Sequence, residues 1–352
     1  MGKNNGAVVR TKLTELLGCT HPVMAAPMCG MCKGELAGEV ARAGGVGVIG
    51  IGAANVFGPD FVRQEFALAK ELCSQGEGVK GAVGLGFLSF FLKDDDPSFE
   101  AALDCAPDLI VTAFGESSSV IAKCKARGIT VAVQVQTTKE AKAARERGAD
   151  CVIVQGCDAG GHGMQHSAVS LVTLIPQLRK DLGPDACLVA AGGIGSGVGV
   201  AAALTLGADA VLLGTRYLAT QECAAKDAYK DRLLATRDGT ASTVVTQAFD
   251  WFAALAFPDP WSGRALVPSD PKLLADFHVP PDTPADRRPL VTDDDKLWYK
   301  NSGYDVRAVW CGAGVGLHPT SDAAERAFDV TVDIIHDAAD HLRNPRRATL
   351  LP

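Results

Sequence analysis

Eight short apolar runs recur along the first 215 residues: "HPVMAAP", "GVGVIG", "GAVGLGF", "DLIVTAF", "ITVAVQV", "DCVIVQG", "CLVAAGG" and "DAVLLGT". Between them lie segments with the amphipathic period of a helix, at 33–43, 60–74, 98–104, 117–127, 138–147, 168–181 and 197–206. The apolar runs are short and lack the polar alternation of a strand wetted on one face, so each predicts a strand covered on both sides. Covered strands that alternate with helices run parallel. Eight such units predict an α/β fold, a closed (β/α)8 TIM barrel, with an open doubly wound sheet as the alternative. The repeated "GAD" before strands six and eight predicts tight helix-to-strand turns, with Gly148 and Gly207 ending the preceding helices.

The rhythm stops after Thr215. Residues 216–256 read as helical, and the proline-rich "FPDPWSGRALVPSDPKLLADFHVPPDTPADRRPL" that follows resembles no barrel unit. Residues 216–310 therefore form an insertion after strand eight, placed to roof the barrel mouth. The barrel itself spans 12–215 and is completed by a closing helix within 320–343, N-capped by Ser321. His336 and His341 lie on the faces of that helix. Trp251, Phe252, Trp261, Trp298 and Tyr299 of the insertion either line its underside or pack its helices together.

A chain of 352 residues exceeds a usual single domain unless it is a barrel or carries an insertion, so length agrees with pattern. A formal charge of −7 and the absence of a basic run argue against nucleic acid or an anionic membrane as partner. The N-terminus lacks the apolar core of a signal peptide, and no apolar run reaches the roughly 18 residues of a membrane span. A cytoplasmic protein with a small-molecule ligand is the expectation. Most of the eleven cysteines sit inside apolar segments, as expected of reduced, buried thiols. "CGMC" at 29–32 has metal or redox spacing, but no second such pair completes four ligands, and no metal is expected.

In a (β/α)8 barrel the loops at the strand C-termini form the site. "AAGGIGSG" follows strand seven and "LGTR" follows strand eight, where such barrels hold phosphate on backbone N–H groups. The glycines of "GGIGSG" come too late in the chain for a dinucleotide fingerprint. Met28, at the exit of strand one, either lies beside a planar ring or fills core. Gln134 of strand five offers a neutral donor and acceptor. His162, in "DAGGHG" after strand six, projects into the same mouth between glycines that permit close approach, and an imidazole exchanges protons near neutral pH. His166 is a less suitable substitute, and a serine triad lacks its GxSxG elbow.

Taken together, "HPVMAAPM", "VQVQTTKEA", "VQGCDAGGHG", "AAGGIGSG", "GADAVLLGTRYLATQE" and a late "WCGAGVGL" at 310–317 make the chain resemble the nitronate monooxygenases, formerly 2-nitropropane dioxygenases. The resemblance covers roughly residues 12–220 and implies an FMN-dependent TIM-barrel flavoprotein. It implies FMN contacts at Ala26, Met28 and Gln134 and phosphate binding near Gly193, Gly214 and Thr215; Gly161 and Gly192 of the matched segments belong with them. His162 would be the catalytic base or orient the nitronate. The implied reaction is oxidation of an alkyl nitronate, or a nitroalkane after loss of its α-proton, by O₂ to a carbonyl compound and nitrite. Two departures stand out: Gly84 replaces an asparagine frequent in relatives, and Ala313 replaces a glutamine. NAD(P)H-dependent quinone and enoyl-acyl-carrier-protein reductases share the barrel and flavin motifs, and a non-catalytic barrel that binds a phosphate ligand is the remaining alternative.

Overall fold

All eight expected strands form, and they close on one another. The computed structural model describes residues 9–52, 57–164, 169–254, 257–270, 272–277, 283, 287–318 and 324–343. The strands are β1 (Val23–Ala25), β2 (Val46–Gly52), β3 (Ala82–Leu88), β4 (Leu109–Ala113), β5 (Thr130–Val135), β6 (Cys151–Gln155), β7 (Gly161–Met164), β8 (Cys187–Ala191), β9 (Ala210–Leu213), β10 (Thr243–Thr246) and β11 (Trp261–Leu266). The closed parallel barrel runs β1-β2-β3-β4-β5-β6-β8-β9, and β10-β11-β7 make a separate three-stranded sheet. Barrel strands seven and eight are therefore β8 and β9.

The helices between barrel strands are α2 (Gly34–Arg42), α3 (Pro59–Ser74), α4 (Pro97–Asp104), α5 (Ser118–Ala126), α6 (Thr138–Glu146), α7 (Leu171–Leu182) and α8 (Gly197–Thr205), preceded by an unforeseen α1 (Lys12–Leu17). Local chemistry explains their ends. Thr137 and Glu140 form a reciprocal capping box at the start of α6. Gly148 and Gly207 take φ of +98° and +107° after α6 and α8. The aspartate of each "GAD" then accepts from the neighbouring strand at the barrel floor: Asp150 from Val131 N at 3.0 Å and Asp209 from Leu188 N at 2.9 Å.

Beyond β9 come α9 (Thr215–Leu218), α10 (Asp227–Ala235), α11 (Gly239–Ser242), α12 (Ala248–Phe252), α13 (Lys272–Phe277), α14 (Asp293–Asn301) and α15 (Ala327–Arg343). Two expectations are corrected here. Residues 216–256 are not wholly helical, because Thr243–Thr246 is a strand. The glycine-rich segment carrying His162 is also a strand, pairing antiparallel with β11 so that His162 faces Gly263. The period of such short pieces is overridden by the partner edge that the fold provides. Helix α15 begins at Ala327, whereas the expected cap Ser321 and the alternative His166 lie outside the described residues. It packs on α8 and α2, which flank the gap where the barrel closes.

Strand parity sorts the core into two layers. Inward positions such as Met24, Val48, Ala82, Val111, Ala132, Ile153, Val189 and Leu212 fill the barrel. Outward positions such as Ile49, Leu85, Val133, Val154 and Val211 meet the helices. Close contact in that outer layer depends on missing side chains: a Cβ on Gly47 would lie 1.8 Å from the Ala37 carbonyl oxygen of α2. Gly47→Ala is expected to destabilise the fold by about 2–3 kcal/mol. The check is a lower urea midpoint at unchanged slope.

Candidate active site

Inward parity also decides what reaches the barrel mouth. Two residues beyond the inward Met24, Ala132 and Leu212 come Ala26, Gln134 and Gly214. These line a cavity of about 700 Å³ at the C-terminal ends of the strands, within the roughly 300–1,000 Å³ usual for cofactor and small-molecule sites. Ala26, Met28, Gln134, Gly161, His162, Gly192, Gly193, Gly214 and Thr215 all lie on its wall. The structure thus brings these nine candidates together, although they lie almost two hundred positions apart in the chain.

Three glycine-rich segments are laid on one another to build one end of this cavity. A Cβ on Gly160 would lie 2.2 Å from the Cys311 carbonyl carbon, and one on Gly314 would lie 2.6 Å from the Gly193 carbonyl oxygen. Ala313 N donates to Asp158 O and Gly312 N to Thr215 Oγ1, each at 2.9 Å. Gly192 and Gly193 take φ of +119° and +69°, which a side chain would strain. The late glycine motif is therefore a clamp on the loops after β6, β8 and β9.

The departure at strand three takes a different form in the structure. Gly84 points inward but sits one layer below the wall, where a Cβ would lie 2.7 Å from the Leu109 carbonyl oxygen. Gly86 occupies the wall position, and a Cβ there would lie 2.2 Å from Pro27 Cβ. No side chain fits at either position without a shift.

His162 is held from four directions. Its Nε2 lies 2.9 Å and 3.0 Å from the two carboxylate oxygens of Asp250, a residue of α12 that is only 2 % exposed. Phe257 stacks on the imidazole at 3.6 Å with planes 7° apart, and Trp310 lies 5.0 Å away. Gly263 makes room for that indole, because a Cβ there would lie 2.0 Å from it. Below, Gln155 Nε2 donates to the His162 carbonyl at 3.0 Å, while Gln136 donates to Gln155 Oε1.

Arg216, Leu218, Tyr229, Ala254, Phe257 and Trp310 are what residues 216–310 contribute to the wall. Phe252 and Tyr299 instead form the insertion's own core, with Trp251 and Trp298 packed against it. Trp261 packs beside Phe90, Phe114 and Phe257. Phe114 and Ala254, both on the cavity wall, hold φ of +59° and +53°, strained values for residues with a Cβ. Period-two counting from Cys151 would have found Gln155. Nothing local marks Asp250, Phe257 or Phe114.

His318, which the sequence reading also missed, lies beside Thr215 and Arg216 on the glycine-lined end of the cavity. It is 5 % exposed, and among the described residues neither ring nitrogen has a hydrogen-bond partner. Burial and the nearby Arg216 guanidinium push its pKa down to about 4, so the ring is neutral. Arg216 itself pairs with Glu325 at 2.7 Å. A cradle of glycine backbone with an orphaned imidazole and a cation, facing an apolar wall of Ala26, Pro27 and Met28, fits a flat ring system with an anionic tail. The residues present thus suit the mononucleotide that the motif resemblance implies. Cys29 of the "CGMC" segment lies on the rim, and among the described residues no group of three or more His, Cys, Asp or Glu is placed to hold a metal ion.

The family model described as nitronate monooxygenase matches residues 10–83 and 92–256. A nitronate monooxygenase of Neurospora crassa is 30% identical over 350 residues, covering 87% of this chain and 87% of that protein. Among solved structures, FabK from Thermotoga maritima superposes with a TM-score of 0.76 at 23% identity, covering 96% of this chain and 99% of that one. A nitroalkane oxidase from Streptomyces ansochromogenes gives 0.72 at 26% identity, covering 94% and 99%.

Proposed function

Because this chain belongs to the nitronate monooxygenase family and is an oxidoreductase, we propose that it is an FMN-dependent enzyme that oxidises alkyl nitronates with O₂ to a carbonyl compound and nitrite. The observation that carries this reading is the convergence of the AGGHG histidine and the glycine cradle on one cavity. Gly192, Gly193, Gly214 and Thr215 would hold the phosphate, Ala26 and Met28 would face the ring system, and Gln134 and Gly161 would complete the contacts. Bound flavin would supply the electron acceptor between nitronate and O₂. The protein's part is to bind, orient and keep water out.

When the substrate is a neutral nitroalkane, its α-proton has to leave first, and His162 is the base within reach of the cavity. The C–H electron pair then moves into the nitro group, giving the nitronate. Phe257 and Trp310 would close an apolar roof over the reacting carbon, and 216–310 acts as the roofing unit on a barrel of 12–215 closed by the last helix. No helix among the described residues is long and apolar enough to cross a membrane, and we take the cytoplasm as the site of action.

The test uses FMN-reconstituted protein with propionate 3-nitronate. O₂ uptake matched by nitrite release is expected. NADH oxidation without nitrite from any nitronate would replace this reading with a reductase of the same barrel class. Failure to take up FMN or turn over either substrate would leave a phosphate-ligand-binding barrel.

A further inference from the structure

We infer that Asp250 is a positioning residue that fixes His162 with its proton on Nε2, so that Nδ1 is the atom that receives the substrate's α-proton. This rests on the reading of His162 as base and adds the atom and the partner. An ionised carboxylate accepts hydrogen bonds and donates none. With both Asp250 oxygens within 3.0 Å of Nε2, that nitrogen carries the hydrogen. A neutral imidazole has only one N–H, so Nδ1 keeps its lone pair.

The surroundings leave Asp250 and Nδ1 few other roles. Among the described residues no other hydrogen-bond donor reaches the Asp250 carboxylate, although the residue is 2 % exposed and a buried carboxylate needs a donor. Among the described residues Nδ1 has no partner, yet it is not one of the side-chain atoms sealed away from solvent without one. The imidazole lines the cavity, and with Nε2 engaged by Asp250 the nitrogen left for a ligand there is Nδ1. A ring flip, which would put Cε1 in place of Nε2 against Asp250, is opposed by Phe257 lying parallel at 3.6 Å.

The proton inventory closes. The substrate C–H bond breaks, an Nδ1–H bond forms, and the electron pair is held by the nitro group. The imidazolium so created has its charge next to the Asp250 carboxylate, an attraction strengthened by exclusion from water. Since Asp250 sits on α12 and His162 on β7, the base is complete only when the segment after the barrel is docked on it.

The alternative is that the contact merely pins α12 to the barrel. Asp250→Asn separates the two. Asparagine keeps the volume and removes a buried charge, but its amide can donate to Nε2 and drive the proton to Nδ1. In ¹⁵N-histidine-labelled holoprotein the wild-type His162 signal should report the Nε2–H form. In Asp250→Asn it should move toward Nδ1–H. The kcat on a neutral nitroalkane should fall on the order of 10²- to 10⁴-fold, while kcat on the preformed nitronate stays within roughly threefold.

Asp250→Glu retains a carboxylate acceptor, so it should keep the Nε2–H signal and recover most of the nitroalkane rate; it also serves if the asparagine variant does not fold. An unchanged tautomer, or an altered tautomer with unchanged nitroalkane turnover, overturns the positioning role. His162→Asn is run beside them. If that variant retains nitroalkane turnover, the base assignment itself fails, an outcome distinct from failure of Asp250 alone.

Discussion

His162→Asn is expected to slow turnover of a neutral nitroalkane on the order of 10²- to 10⁴-fold, the usual contribution of a positioned general base, while a preformed nitronate is oxidised at close to the wild-type rate. Asparagine is polar and uncharged but cannot accept a proton at neutral pH, so only the step that needs a base is removed. The nitronate arrives with its α-proton already gone and bypasses that step. Steady-state O₂ consumption with the two substrate forms gives both rates in one assay. Equal, small losses for both forms would take His162 out of the base role. Equal, large losses would make it a residue that orients the nitronate.

The second large effect concerns acid. His21 and His318 are 6 % and 5 % exposed, and each has its pKa lowered from 6.5 to about 4. Burial is the main cause in both. His336 adds to it at His21, and Arg216 and Arg237 outweigh Glu325 at His318. Because the folded state holds both rings neutral, their stabilisation is fully present above pH 6.5 and is lost as pH falls toward 4. At about 1.4 kcal/mol per pH unit, each contributes about 3 kcal/mol, of which about 2 kcal/mol is gone by pH 5.

Urea unfolding of the cofactor-free protein at about pH 7.5 and about pH 5 reads this directly. His318→Leu should be at least as stable as wild type at the higher pH, since it removes two buried nitrogens without a geometric partner among the described residues, and should lose about 2 kcal/mol less on acidification. A wild-type pH slope in the leucine variant would mean that His318 is not held neutral.

Several parts of this protein were legible before folding. Eight apolar runs predicted eight barrel strands, because a strand covered on both faces leaves a continuous apolar signature that no surface element shares. The glycines at 160–161 and 192–193 were legible as loop chemistry, since positive φ and close backbone approach exclude most other residues. The segment around His162 has the composition of a loop yet forms a strand: four residues that include two glycines carry no period of their own, and β11 supplies the edge. Likewise, β10 was hidden inside a stretch taken for helix.

By itself, then, the amino-acid order determined the barrel, the end of it that carries the candidate site, and the candidate residues from Ala26 to Thr215 that meet on one wall. Those features follow from short-range rules: side-chain parity along a strand, glycine conformations in turns, and helix caps. Only the tertiary structure decided that Asp250 grips His162, that Phe257 stacks on it while Phe252 and Tyr299 pack into a core of their own, that Gly86 and not Gly84 faces the cavity, and that His318 is buried beside Arg216. Each of these depends on where the 216–310 segment or a neighbouring strand is docked, and a contact between residues 88 positions apart leaves no periodic trace in either local sequence.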